Sequence, residues 1–423
     1  MDFLKKYIGD IPVYIYKTKK IKSINISLKF FIKSKKEYYY NISSLGKIFT
    51  TGSIKYNTPN KYVNASSKVY FPRGNYSEYL YNEFEVVSMN YRYLNGKYFN
   101  CIKQDYNNSK LFRDLFFDVN HNYKHFEFTK RRLINYLLNL KDNSANYSEI
   151  KAFGISERNC PFYVSLDERL KLAKEFSIDK VKEFYDYMIH DSKKMMFIVG
   201  DVDESIIDNY KFLKDYINNK ECSFSELNRI GTYYNVTEPI YEKEELDTGQ
   251  SRLVLSYYYD KKIDLKNDYL CLMFLYMFCN ADFSLLFNTL REENSLCYSI
   301  SGYTIDSICY VSLGIKKENY QKCLDLINLE LEKVRNGEIE ENILNQTKKI
   351  FIDNIENSDD DPYSYVGQYV AYVINNYKFP FSDYNDECIK SVNSITIKDI
   401  VNFSKGLKFD NCFFLSGGSD NEE

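Results

Sequence analysis

At 423 residues and 50.3 kDa the chain holds two to four folding units at ~100–200 residues each, and two is the economical reading. Its 44% hydrophobic and 27% charged residues exclude a disordered, collagen-like or disulfide-scaffold protein. With 56 Lys plus Arg against 59 Asp plus Glu, a net charge of −3 and a pI near 5.9, it is too balanced for a dedicated nucleic-acid binder.

The 42 Tyr, 30 Phe and absence of Trp reflect a compositional bias and carry no functional weight. Ten cysteines, among them Cys101, Cys160, Cys222, Cys271, Cys279 and Cys297, are dispersed without C-x-x-C or zinc-finger spacing, which predicts reduced, buried thiols. Met1 to Lys6 lacks the apolar core of a signal peptide, and the longest apolar run, Tyr269 to Cys279, falls short of the ~18 residues of a membrane span. The expectation is a cytoplasmic protein with no membrane and no nucleic-acid partner.

In chain order, period-two alternation predicts strands over Ile11–Tyr16 and Ile24–Phe30, paired antiparallel. Apolar residues returning at three and four positions predict helices over Lys110–Leu140 and Ser165–His190, the latter on Val181, Phe184, Tyr185 and Met188. Met195 to Asp201 is a buried-strand run stopped by Gly200 and Asp201. The polar stretch 218–249, with Pro239 and Glu242, Glu244, Glu245 and Asp247, reads as a linker. Beyond it a strand is predicted over Arg252–Tyr259, an apolar helix over Asp268–Asn288, and a strand over Ser307–Ile315. A helix over Gln321–Arg335 ends at Asn336-Gly337, a short helix covers Ser394–Phe403, and a last strand runs from Cys412 into Gly417.

That last strand mirrors Met196–Asp201, with Phe197 and Phe413 separated by 216 residues, about half the chain. The sequence therefore predicts a duplicated α+β unit: a first half over 1–217, a linker over 218–249 and a second half over 250–423. Each half is expected to hold a mostly antiparallel sheet with helices on one face.

The string from Ser284 to Tyr298, S-L-L-F-N-T-L-R-E-E-N-S-L-C-Y, resembles the S-x-L-F-x-x-[VL]-R-E-x-x-x-L-[CA]-Y signature in the second half of the pitrilysin/insulinase peptidases, the inverzincins. Gln250 before its strand, Gly314 at the end of another, Gly337-Glu338-Ile339 and Gly200-Asp201-Val202 extend the likeness over essentially the whole chain. The resemblance implies the family's two-half metallohydrolase fold. It assigns Arg291 and Tyr298 to substrate contact, where a guanidinium and a phenol can hydrogen-bond a peptide carbonyl. On residue type alone, Arg291 pairing with Glu292 or Glu293 and Tyr298 packing in a core is the alternative.

Zinc hydrolysis in the family needs H-x-x-E-H on a helix and a Glu downstream. Read back from Thr51-Gly52-Ser53, which resembles the K-G-T after that motif, the three positions fall on Ser43, Gly46 and Lys47. A hydroxyl is a poor zinc ligand, glycine has no base, and an ammonium repels the dication. No His or Glu occurs from Asn41 to Asn75, so a register error cannot restore the motif, and the downstream position near Tyr136 or Leu137 carries no carboxylate. His121 and His125 read as surface residues and His190 as a residue at a helix end. Asp359-Asp360-Asp361-Pro362 reads as a turn.

No cofactor is expected and no catalysis by this chain alone. The resemblance implies a non-catalytic, zinc-less subunit that pairs as a heterodimer with an H-x-x-E-H peptidase and helps hold peptide or unfolded polypeptide. Among subgroups the chain is most similar to bacterial metal-free members associated with 5-aminopentanol modification of elongation factor P. A subunit processing the leader of a modified bacteriocin-type peptide and a stand-alone peptide-binding scaffold are the other two readings.

Overall fold

The computed structural model describes the chain except residues 1–2, 41–44, 46–52, 82–83, 100, 102, 119–122, 161–162, 221–237, 261–263, 306, 359–360 and 418–423. Its strands are β1 (Leu4–Ile8), β2 (Ile11–Lys17), β3 (Ser23–Lys33), β4 (Arg73–Tyr81), β5 (Phe84–Leu94), β6 (Lys193–Gly200), β7 (Ile240–Glu245), β8 (Ser251–Tyr258), β9 (Cys297–Ile305), β10 (Ile308–Ile315) and β11 (Lys408–Ser416). Its helices are α1 (Pro59–Ser67), α2 (Gln104–Phe116), α3 (Tyr123–Leu138), α4 (Ser144–Ser156), α5 (Leu166–Glu175), α6 (Ile178–Asp191), α7 (Leu265–Leu275), α8 (Tyr320–Asn336), α9 (Glu341–Asn357), α10 (Pro362–Ile374), α11 (Tyr384–Ser394) and α12 (Ile397–Gly406). Two compact units form, and neither is continuous in sequence. The first takes Met1–Leu137, Leu166–Asn228 and Ser358–Ser382; the second takes Leu138–Ser165, Arg229–Asn357 and Asp383–Glu423.

In the first unit the strands lie in the order β1-β2-β6-β3-β5-β4. The antiparallel pair expected between β2 and β3 does not form, because β6 lies between them, parallel to β2 and antiparallel to β3. Met195 to Val199 is apolar at every position, and a strand buried on both faces belongs at a sheet centre. Alternation sorts β3 cleanly. Ile24, Ile26, Leu28, Phe30 and Ile32 meet Met89, Tyr91, Phe112, Phe184 and Met196 in the core. Asn25, Ser27 and Lys29 take the other face, where Ser27 donates to Asn90 (2.7 Å) and Lys29 to Ser88 (2.9 Å). Further along that face α10 stacks Tyr365 on Tyr16 (4.2 Å between ring centres) and packs Tyr369 against Phe3 (4.6 Å) and Tyr14 (4.8 Å).

Two helices expected as single runs are broken. Lys110–Leu140 divides into α2 and α3, and Ser165–His190 divides at Phe176-Ser177, where the Ser177 hydroxyl caps α6 by accepting from the Lys180 amide (3.2 Å). The helix expected over Asp268–Asn288 leaves α-geometry after Leu275, widens into a π turn over Tyr276–Asn280 and ends at extended Ala281.

The second unit has the order β7-β11-β8-β10-β9. Residues 240–245, read from sequence as linker, are strand β7, an edge strand parallel to β11. Its polarity concealed it, since the half-buried positions hold carboxylates satisfied by partners. Glu244 accepts from Lys141 and the Tyr147 hydroxyl (2.8 Å each), and Glu242 pairs with Lys151 (2.9 Å). With β1 set aside the two sheets share one topology. β2, β6, β3, β5 and β4 match β7, β11, β8, β10 and β9, with β6 and β11 each parallel to one neighbour and antiparallel to the other.

One face of the second sheet packs on helices, as where Phe414 meets Tyr320 (4.3 Å) and the Cys309 and Cys271 sulfurs approach to 3.6 Å. The opposite face receives α4. At its end Asp410, the extra residue of a β-bulge in β11, accepts hydrogen bonds from Ser156 (2.5 Å), Ser256 (2.9 Å) and the Asn411 amide (2.9 Å), with Arg158 at 3.4 Å. Each sheet is thus flanked on its second face by a helix from a distant stretch of chain. Among the described residues no helix is long and apolar enough to cross a membrane.

Candidate peptide-contact site

The segment Ser284–Tyr298 divides by burial into residues that build a turn and residues that face water. Leu286, Leu290, Leu296 and Cys297 are buried. The buried Ser284 hydroxyl accepts from the Phe287 amide (3.4 Å), and Asn294 donates to the Thr289 carbonyl (2.8 Å). Between these anchors Phe287–Glu293 forms a π-helical turn, and Ser295 leaves it with φ +51°, so the chain reverses into β9. Wide turns of this kind project side chains that an α-helix would pack differently.

Arg291 and Tyr298 both face solvent. The Arg291 guanidinium sits 5.0 Å over the Phe287 ring, and no carboxylate pairs with it among the described residues, so pairing with Glu292 or Glu293 does not occur. Tyr298 is 57% exposed and therefore not a core residue. Its position follows from register: Ser299 faces Gly314 and Cys297 faces Ile315, leaving Tyr298 as the unmatched residue of a bulge at the start of the strand. A bulge re-aims its side chain, and β9 is the outer strand of its sheet, with one edge unpaired among the described residues. A peptide laid along that edge would find backbone donors and acceptors beside a phenol and a guanidinium.

Gln250 and Gly314, distant in sequence, come together at the foot of this strand. A Cβ on Gly314 would stand 2.8 Å from the Gln250 amide nitrogen, 2.8 Å from the Ser299 hydroxyl and 2.9 Å from an Arg252 nitrogen, so any larger residue there must displace these three side chains. Arg252 and Ser299 had no sequence expectation, because their meeting depends on the β8-β10-β9 register. Cys297 is no candidate nucleophile; burial pushes its thiol up to about 11, against the smaller opposing effect of Arg291.

The expected degenerate metal positions Ser43, Gly46 and Lys47 lie outside the described residues, as does His121. Leu45 between them is buried. The downstream position is described: Tyr136 is half exposed on α3, and the nearby Arg169 guanidinium lies 5.1 Å over Tyr39. A hydroxyl, a glycine, a lysine and a phenol or leucine do not make a zinc donor set, and among the described residues no three His, Cys, Asp or Glu side chains gather to hold a metal. His190 ends α6 and is exposed.

Paired α+β sheets of one topology, carrying this turn and edge strand, define a pitrilysin-type peptidase fold. Residues 175–351 match the family described as Peptidase M16 inactive domain. A curated relative, the probable inactive metalloprotease YmfF of Bacillus subtilis, is 22% identical over 300 residues, 68% of this chain and 66% of its own length. A conserved protein from Enterococcus faecalis has a solved structure similar to this one at TM-score 0.85 and 19% identity, with 100% of both chains covered. The periplasmic protease PqqL of Escherichia coli matches at TM-score 0.64 and 11% identity over 98% of this chain but 46% of its own. The chain thus shares the M16, pitrilysin-like fold and is similar over residues 175–351 to that family's inactive domain, and the inactive character of both this domain and the Bacillus relative supports a pseudopeptidase rather than a catalytic enzyme.

Proposed function

We propose that this chain is the non-catalytic subunit of a two-chain peptidase, pairing in the cytoplasm with an M16 partner that has an intact H-x-x-E-H, and that it holds peptide through the β9 edge, Arg291 and Tyr298. The observation that carries the reading is the exposure of both signature side chains, one on a bulge of an open edge strand and the other without a carboxylate partner. Buried residues of the same signature already account for the turn, so fold maintenance leaves Arg291 and Tyr298 unexplained. The match to somewhat under half of PqqL is in keeping with a chain that supplies one part of a larger clamp. In such a complex a metal held by the partner would supply the activated water, while Arg291 and Tyr298 hydrogen-bond a carbonyl of the bound strand and hold it in register. The link to elongation factor P modification is proposed with this role as its context.

The test is co-expression with an H-x-x-E-H protein encoded beside it, sizing of the product, and cleavage of quenched peptides. Arg291→Ala and Tyr298→Ala are expected to lower kcat/KM of the complex roughly tenfold or more while leaving the melting temperature unchanged. Unaltered turnover in both variants removes the assigned role, and failure to associate with any such partner favours a stand-alone scaffold.

A further inference from the structure

Outside the β9 region, the first unit carries a cleft of about 570 Å³ between α1 and α2. Its walls include Lys55, Lys61, Lys68 and Lys110, and among the described residues its one acid is Asp114. Asp114 does not offset the rest. Its side chain is 1% exposed and takes Lys55 at 2.9 Å, Arg113 at 2.8 Å and the Tyr56 hydroxyl at 3.2 Å, so its charge is spent at the cleft floor. Burial opposes its ionisation, but the hydrogen bonds from Lys55 and Arg113 prevail and hold the carboxyl below its usual range.

Lys61, Lys68 and Lys110 are exposed, and among the described residues no carboxylate pairs with them. Lys61 donates to Asn57 (3.1 Å), and Lys110 lies 4.2 Å over the Tyr106 ring. Lys61 and Lys68 stand seven positions apart along α1 and its C-cap, ~10 Å at the helical rise, close to the ~9 Å between carboxylates three residues apart on one face of an extended polyproline II peptide. Lys110 faces the same cleft from α2.

A second observation points to a polypeptide. Where the chain leaves α1, Tyr70 and Phe71 both have positive φ, +61° and +51°, a conformation costly for bulky residues. That backbone leaves Tyr70 52% and Phe71 62% exposed, directly after the cleft-lining Lys68 and Val69. Lysines spread along a groove, ending at displayed aromatic rings, suit an extended acidic segment with an apolar residue better than one compact phosphate, which calls for converging backbone amides or arginine forks.

We propose that this cleft is a docking site for an acidic, extended segment of the peptide substrate, remote from Arg291 and Tyr298 in sequence and independent of them in binding. The proposal rests on the reading of the chain as a peptide-handling subunit, but it is tested on the isolated protein. A fluorescein-labelled peptide with Glu at every third position and one Phe is titrated by anisotropy, beside its Glu-to-Gln analogue and with pyrophosphate as competitor. The acidic peptide is expected to bind, more weakly as salt rises, and about tenfold tighter than the Gln analogue. The combined Lys61→Gln, Lys68→Gln and Lys110→Gln variant loses that preference at unchanged melting temperature, and Phe71→Ala weakens both peptides alike. Equal binding of the acidic peptide by the triple-lysine variant overturns the proposal. So does a cleft that takes pyrophosphate and ignores the peptide. Loss of cleavage by the two-chain complex with peptide binding intact bears on the subunit reading alone.

Discussion

Asp410→Ala removes the acceptor at the centre of the second unit and should separate α4 from its sheet. The carboxylate is fully buried, on a bulge that turns it toward Ser156 and Ser256, with Arg158 its nearest cation at 3.4 Å. Breaking a buried charge pair costs ~3–5 kcal/mol. The lower end applies here, for two reasons. Ser156 and Ser256 lie 3.2 Å apart and can bond each other, and Arg158 keeps its bond to the Ile155 carbonyl (2.5 Å). A loss of ~3 kcal/mol in a unit of about this size lowers the melting temperature by ~6–12 °C. Asp410→Asn keeps one acceptor and should cost ~1–2 kcal/mol. Calorimetry gives the shift, and hydrogen exchange over residues 144–156 shows where protection is lost. If Asp410→Ala melts within ~1 °C of the parent, with the α4 amides as protected as before, the hub does not hold the helix.

Two buried ionisable groups of the first unit predict opposite pH effects. Burial, and behind it the charge of Glu78, pushes the Glu85 carboxyl up to about 7 against a hydrogen bond from Ser34. The folded state binds that proton more tightly, so the contribution is full below the ordinary value of 4.5 and lost as pH rises through about 7. Glu85→Gln should match the parent near pH ~4 and exceed its stability by ~2 kcal/mol at pH ~8; a difference constant across denaturation curves at both pH values refutes this. Burial lowers the Lys29 ammonium to about 8 from 10.5. Between those values the unfolded chain holds a proton that the folded chain has released, so parental stability should rise with pH over that window. Lys29→Met should add ~1–3 kcal/mol at pH ~7 and abolish the rise, whereas a destabilised variant would mean that the bond to Ser88 outweighs the buried charge.

Strands that carry core residues were legible, because alternation in β3 and unbroken apolar runs in β6 and β11 are properties of the local chain. Their order was not, since the insertion of β6 between β2 and β3 is a long-range choice. Edge strands escaped for the opposite reason. β4, β7 and β9 face solvent and carry Arg73, Glu78, Glu242, Glu244 and Ser299, so no apolar period marks them. The Ser284–Tyr298 string pointed to Arg291 and Tyr298, and their exposure accords with the proposed contact role. The bulge that sets Tyr298 apart belongs to the pairing with β10 and cannot be read from β9 alone. Likewise the cleft lysines, scattered from Lys55 to Lys110, meet only when α1 and α2 pack.

The placement of α4 and α10 bears on how the polypeptide is made. The aromatic patch of Phe3, Tyr14 and Tyr16 is translated more than three hundred residues before Tyr365 and Tyr369, which shield it. α4 waits in turn for Asp410, 254 residues beyond Ser156. A nascent chain therefore carries bare sticky surface across both intervals, a natural client for chaperones, and residues 1–217 expressed without 358–382 should aggregate.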